Sequence, residues 1–254
     1  MAVCAPFSAS ELRALRKLKT PAGIQRFLNS LSYHDADTAW SPRRVLRERV
    51  AHCSEGAVLA AAALRVIGHR PLIMDLEAEQ DDDHVIAVYR SGSHWGAIAK
   101  SHFTGLRDRP PIFRTLRELA LSYFDDYFNL RRQRTLRGYC RPVDLARFDD
   151  RDWMTTEKPV WFIMEHLVEI PHIPLITARQ ARALDRVDHL GFRAGLLGHS
   201  FEAHPFSERA EREPAPPVTS PRHRRNERYT SRSSGAAYSR LPAFRSRRRP
   251  RPRS

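Results

Sequence analysis

Cysteine is scarce in this chain: Cys4, Cys53 and Cys140 are the three in 254 residues. No two stand at C-x-x-C spacing and the number is odd, which argues against a disulfide framework or a thiolate zinc ribbon and fits a reducing compartment. Long apolar runs are missing as well. No stretch reaches the roughly 18 residues that suggest a membrane helix, and Met1 to Pro6 has neither the basic start nor the apolar stretch of a secretory leader. The expectation is a soluble, cytoplasmic protein with no membrane segment. No internal repeat is evident.

Acidic charge is sparse at the end of the chain. From Pro205 to Ser254, 14 Arg face 4 Glu, a balance of +10 out of the total of +14. Pro, Ser and Arg dominate there and apolar residues are scattered, so residues 205–254 cannot bury enough surface to offset the entropy of ordering. They read as a disordered basic tail that attracts polyanions by counterion release. Its few aromatics, chiefly Tyr229, Tyr238 and Phe244, make a poor stacking platform, so nucleic-acid binding would be nonspecific.

What is present is concentrated between Arg49 and Lys100. Cys53 opens an alanine-rich segment, Cys53 to Val66, that is apolar on nearly all sides and therefore reads as a buried helix, stopped by Gly68. Pro71 to Leu76 reads as a buried strand. His84 to Arg90, the turn Ser91-Gly92-Ser93 and His94 to Lys100 read as a hairpin. A thiol in the first helical turn faces unpaired N–H groups and the positive end of the helix dipole, which favour the thiolate. A histidine that begins a neighbouring strand can take its proton and return it to a leaving group. His52 is a decoy, because successive helical residues point about 100° apart. His84, His94 and His102 with Asp81, Asp82 and Asp83 show no recognised ligand spacing, so neither a metal nor a cofactor is expected.

The order of Cys helix, strand, His strand and hairpin return resembles the transglutaminase-like core shared by transglutaminases, papain-like peptidases and peptide N-glycanases. The resemblance covers roughly Ser41 to Ser101. It implies an α+β fold with a small antiparallel sheet packed on the Cys53 helix, and a Cys53 nucleophile with His84 as base acting on an amide or acyl group of a protein or peptide. It also implies a carboxylate on the strand after His84, past Trp95, where this chain has Ala99, Lys100 and Ser101. Losing that orienting group costs a serine protease about four orders of magnitude in turnover. Asp75, on the adjoining strand, is the first choice as a replacement, ahead of Asp81, Asp82 and Asp83. The alternative is an inactive module that keeps the fold for binding.

Around this core, Ser8 and Glu11 have capping-box spacing before Leu12, Leu15 and Leu18. Thr20-Pro21 and Ser41-Pro42 begin two further helices. Leu106 to Pro111 reads as a loop on account of its prolines. Thr115 caps a helix whose stripe runs through Leu119, Tyr123 and Tyr127, and a helix is expected within Trp153 to Ile170, ended by Pro171. The expected division is one domain over 1–204, with its core at about 41–130 and a helical extension at about 142–200, followed by the tail.

Overall fold

The computed structural model describes residues 7–198, which belong to one compact unit. Cys4 and the basic tail from Pro205 lie outside the described residues.

Three short helices lead in: α1 (Ala9–Arg16), α2 (Pro21–Asn29) and α3 (Pro42–Glu48). Ser8, Thr20 and Ser41 each cap one by accepting a backbone N–H, and proline occupies the first turn of α2 and α3. All three pack on α4 (Cys53–Val66). Every residue of α4 from Ser54 to Leu64 is buried, as an all-round apolar helix requires. It ends in a Schellman motif: Gly68, at φ +95°, donates to Arg65, and His69 donates to Leu64 at 2.9 Å.

The sheet is antiparallel throughout. Its strands are β1 (Leu72–Ala78), β2 (His84–Ser91), β3 (His94–Ile98), β4 (Arg109–Phe113), β5 (Leu136–Cys140), β6 (Val143–Asp144) and β7 (His172–Pro174). They lie in the order β4-β3-β2-β1-β5-β7, with β6 also on β1. The β2–β3 hairpin turns through Gly92 and Ser93, and Gly92 takes φ +59°, which a side chain would disfavour. Helix α4 packs on β1 and β2, so its first turn lies near the start of β2. The remaining helices are α5 (Leu116–Leu121), α6 (Trp161–Glu169), α7 (Ala178–Arg182) and α8 (His189–Gly195).

The mixed helical and antiparallel class agrees with the sequence reading, but several elements differ. Arg109 to Phe113 is an edge strand despite Pro110 and Pro111, a place where missing N–H donors are tolerated. Helix α5 stops at Leu121, so Tyr123 and Tyr127 lie beyond its end and reach the core from a turn. The helix expected within Trp153 to Ile170, entered at Thr156 and Pro159 and closed by Pro171, is present as Trp161–Glu169. No described helix is long and apolar enough to cross a membrane.

Candidate functional site

Cys53 is the first residue of α4, with His52 as its N-cap. It is only half-buried, whereas the eleven residues after it are closed off from solvent. Its thiol lies against the backbone N–H groups of Val85 and Ser54. Tyr33 meets the N–H of Cys53 itself with its phenolic oxygen, and burial holds that phenol well above its ordinary range. Both Cys53 and Cys140 are free thiols.

The expected thiolate is not the resting form. Burial pushes the Cys53 thiol up to about 12, and the N–H groups of Val85 and Ser54 oppose this without reversing it. The helix end contributes a partial charge, whereas removing a full negative charge from water costs several kcal/mol.

His84 begins β2 and is buried at 4 % exposure. Its Nε2 lies 2.9 Å from the carbonyl oxygen of Leu106. Burial pushes the imidazole down to about 4; the Leu106 carbonyl works against this, and the charge of Arg109 adds to it. A neutral imidazole facing a carbonyl must carry its proton on Nε2, so Nδ1 bears the lone pair. The rings of Tyr123 and Tyr127 stand edge-on to His84, each 6.4 Å away between centroids. Tyr127 donates to Asp82 O at 2.8 Å and to Leu76 O at 3.3 Å, which ties the approach to β2 to β1.

The Leu106 carbonyl is itself held firmly. It ends a 3-10 turn over Thr104–Leu106. Arg109 clamps that turn by donating to Gly105 O at 2.8 Å and to Ser122 O at 3.0 Å, while stacking 4.0 Å over the Tyr123 ring. Tyr123 donates to Arg107 O at 2.9 Å.

The structure brings Cys53 to the backbone of the His84 strand, but among the described residues no hydrogen bond joins its sulfur to the imidazole. Asp75 is placed elsewhere. The residue opposite His84 is Leu76, and Asp75 stands opposite Val85, so strand alternation turns the Asp75 and His84 side chains to opposite faces. The Asp75 carboxylate instead meets His172 Nε2 at 2.9 Å, on β7. That bond raises the His172 imidazole, while burial raises Asp75 more than His172 lowers it. Asp75 therefore does not orient His84.

Nor does a carboxylate stand at the end of β3. Gln25 pins Ala99 through both its N–H and its carbonyl, at 3.0 and 2.8 Å. Lys100 turns inward to donate to Leu28 O at 3.0 Å and Leu31 O at 2.5 Å, covering carbonyls at the end of α2. Ser101 accepts the N–H of Phe103 at 3.0 Å. His94 begins β3, and the His102 ring packs at 4.2 Å between centroids on Tyr33, the phenol that meets Cys53.

A second polar group sits two residues along from Cys53, in the same first turn. Glu55, 1 % exposed, accepts from His34 Nε2, Thr38 Oγ1 and Trp40 N, each at 2.8 Å, and from His52 N at 3.4 Å. It is the one charged residue in the apolar run from Ser54 to Leu64. That isolation was the sequence signal for it, whereas the Leu106 carbonyl carries no residue-type signal at all.

No known protein-family model and no curated protein matches the chain.

Proposed function

We propose that the chain is a cysteine-dependent amide hydrolase or acyltransferase on a transglutaminase-like fold, with Cys53 as nucleophile and His84 as base. The observation that carries this reading is the 2.9 Å contact from His84 Nε2 to Leu106 O. A backbone carbonyl there does half the work of the absent carboxylate, because it fixes the tautomer that leaves Nδ1 free to accept a proton. It supplies no negative charge to stabilise the imidazolium.

The chemistry follows from the two proton affinities. The thiol at about 12 and the imidazole at about 4 differ by roughly eight powers of ten, on the order of 10 kcal/mol against separated charges. The resting pair is thus thiol and neutral imidazole. On substrate binding, His84 Nδ1 takes the Cys53 proton as the sulfur attacks the acyl carbon. The C–N or C–O bond breaks, the leaving group takes the proton from the imidazolium, and a thioester remains. Water or an amine then attacks with His84 again as base, and the proton returns to the sulfur. Apo sites of this kind hold looser contacts than their substrate complexes, so Cys53 and His84 must close up for the first step. A reduced thiol is needed throughout, in keeping with a cytoplasmic setting.

The second reading, a binding module that has lost its chemistry, is favoured by the Ala99-Lys100-Ser101 segment, where Lys100 caps α2 instead of facing His84. Turnover of activated ester and amide substrates separates the two. The enzyme reading predicts slow turnover abolished by Cys53→Ser and strongly reduced by His84→Gln. Turnover indistinguishable from that of Cys53→Ser would favour the module.

A further inference from the structure

We propose that His34, His52 and Glu55 form a binding site for a divalent transition-metal ion, with zinc as the ion the donor set favours, adjacent to but separate from the Cys53 thiol. Three segments converge here: His34 from the loop after α2, His52 from the N-cap of α4, and Glu55 from its first turn. One donor atom from each lies within 4.8 Å of the others. The two closest approaches run through the carboxylate, His34 Nε2 to Glu55 Oε2 at 2.8 Å and His52 Nε2 to Glu55 Oε1 at 3.5 Å. Donors about 2.0–2.2 Å from one zinc ion stand about 3.0–3.5 Å from each other, so the two histidine-to-carboxylate approaches already lie close to ligand spacing, and the two imidazole nitrogens, within 4.8 Å of each other, need only draw together around the ion.

The donor chemistry fits zinc. Two imidazoles and one carboxylate form a recurring three-ligand zinc set that leaves a fourth position open. Thr38 O, 2.8 Å from His52 Nε2, is a further oxygen within reach of that position. The surroundings orient the ligands as a metal site requires. His52 Nδ1 lies 3.2 Å from Ser54 Oγ, which can accept the proton Nδ1 must carry once Nε2 binds metal. Stacking fixes the His34 ring between His52 at 5.4 Å and Trp40 at 4.8 Å. Glu55 keeps its bonds from Thr38 Oγ1, Trp40 N and His52 N, so the ion replaces the protons on the two Nε2 atoms, which pass to solvent. Both histidine side chains keep some exposure, 19 % and 16 %, which provides a route in.

The test is metal titration of the full chain, purified without a polyhistidine tag and freed of metal, with zinc followed by equilibrium dialysis and cobalt(II) by visible absorption. One zinc per chain is expected. Tetrahedral cobalt bands should appear without a sulfur-to-cobalt charge-transfer band, and Cys53→Ser should bind equally well. Affinity should fall at least tenfold in His34→Gln and in His52→Gln, each checked for native circular dichroism. His34→Phe and His52→Leu serve in place of a variant that does not fold. Failure of the folded wild type to bind zinc would overturn the site. So would binding unchanged by the histidine substitutions, or binding lost in Cys53→Ser.

Discussion

His84 and Leu106 stand in the relationship that defines this site: an imidazole Nε2 2.9 Å from a main-chain carbonyl, where a carboxylate would serve a stronger base. The carbonyl sets the tautomer and withholds the charge. Burial then dominates, and the imidazole sits at about 4.

That value has a sign for stability. His84 titrates lower in the folded protein than in the unfolded chain, where it is ordinary at 6.5, so the unfolded state binds more protons between the two values. Stability is fully present above 6.5 and falls as the pH drops toward about 4, by on the order of 3 kcal/mol for this 4 % exposed group. Urea unfolding at pH 7 and pH 4.5 of the wild type and of His84→Gln measures it. The variant should lose that share of the acid sensitivity; equal sensitivity in both proteins would contradict the assignment.

Cys53 should behave as a protonated thiol. With its proton held up to about 12, iodoacetamide should modify it slowly at pH 7.5, and the rate should still be climbing at pH 10. Peptide mapping distinguishes it from Cys140, which is buried. A rate that levels off below pH 8 would mean that a thiolate–imidazolium pair exists at rest.

Glu55→Gln should be severely destabilising, although it changes few atoms. The carboxylate accepts four donors from the 34–52 region, and an amide must turn its own N–H groups toward some of them. A loss of about 3 kcal/mol is expected, near 10 °C in Tm for a domain of this size. A shift within about 1 °C would show that the 34–40 loop does not depend on this anchor.

Gly56→Ala sets two effects against each other. Alanine gains about 1 kcal/mol over glycine inside a helix. A Cβ on Gly56, however, would lie 2.5 Å from Lys100 Cβ, close to the backbone of the β3 exit. Overpacking of this kind costs about 1–3 kcal/mol, so the net change should be a loss of stability. A higher melting temperature for Gly56→Ala would mean that the helix and the strand end are free to separate.

Much of the scaffold was legible because local chemistry dictated it. The apolar run of α4, its Gly68 stop and the Gly92 hairpin turn each follow from the conformations their residues permit. Strands β4 to β7 were not legible. Two prolines disguise β4, and the other three are short segments that become strands only by pairing with one another or with β1. The site divides the same way. Cys53 and His84 stood out by residue type and order, but the partner of His84 is a main-chain atom 22 residues away, which no side-chain pattern encodes. Asp75 was a reasonable nominee by proximity in sequence, yet strand alternation turned it toward His172.

The most direct measurement of the central claim is covalent trapping. Full-length protein is mixed with p-nitrophenyl acetate at pH 7.5 and quenched in acid, and the acetyl group is located by peptide mapping. A thioester is expected on Cys53 in the wild type and none there in Cys53→Ser. In His84→Gln with an intact fold, formation should be slower by about 100-fold or more, the usual share of a general base. Acetylation of Cys53 at the same rate with and without His84, or none at all on Cys53, would contradict it.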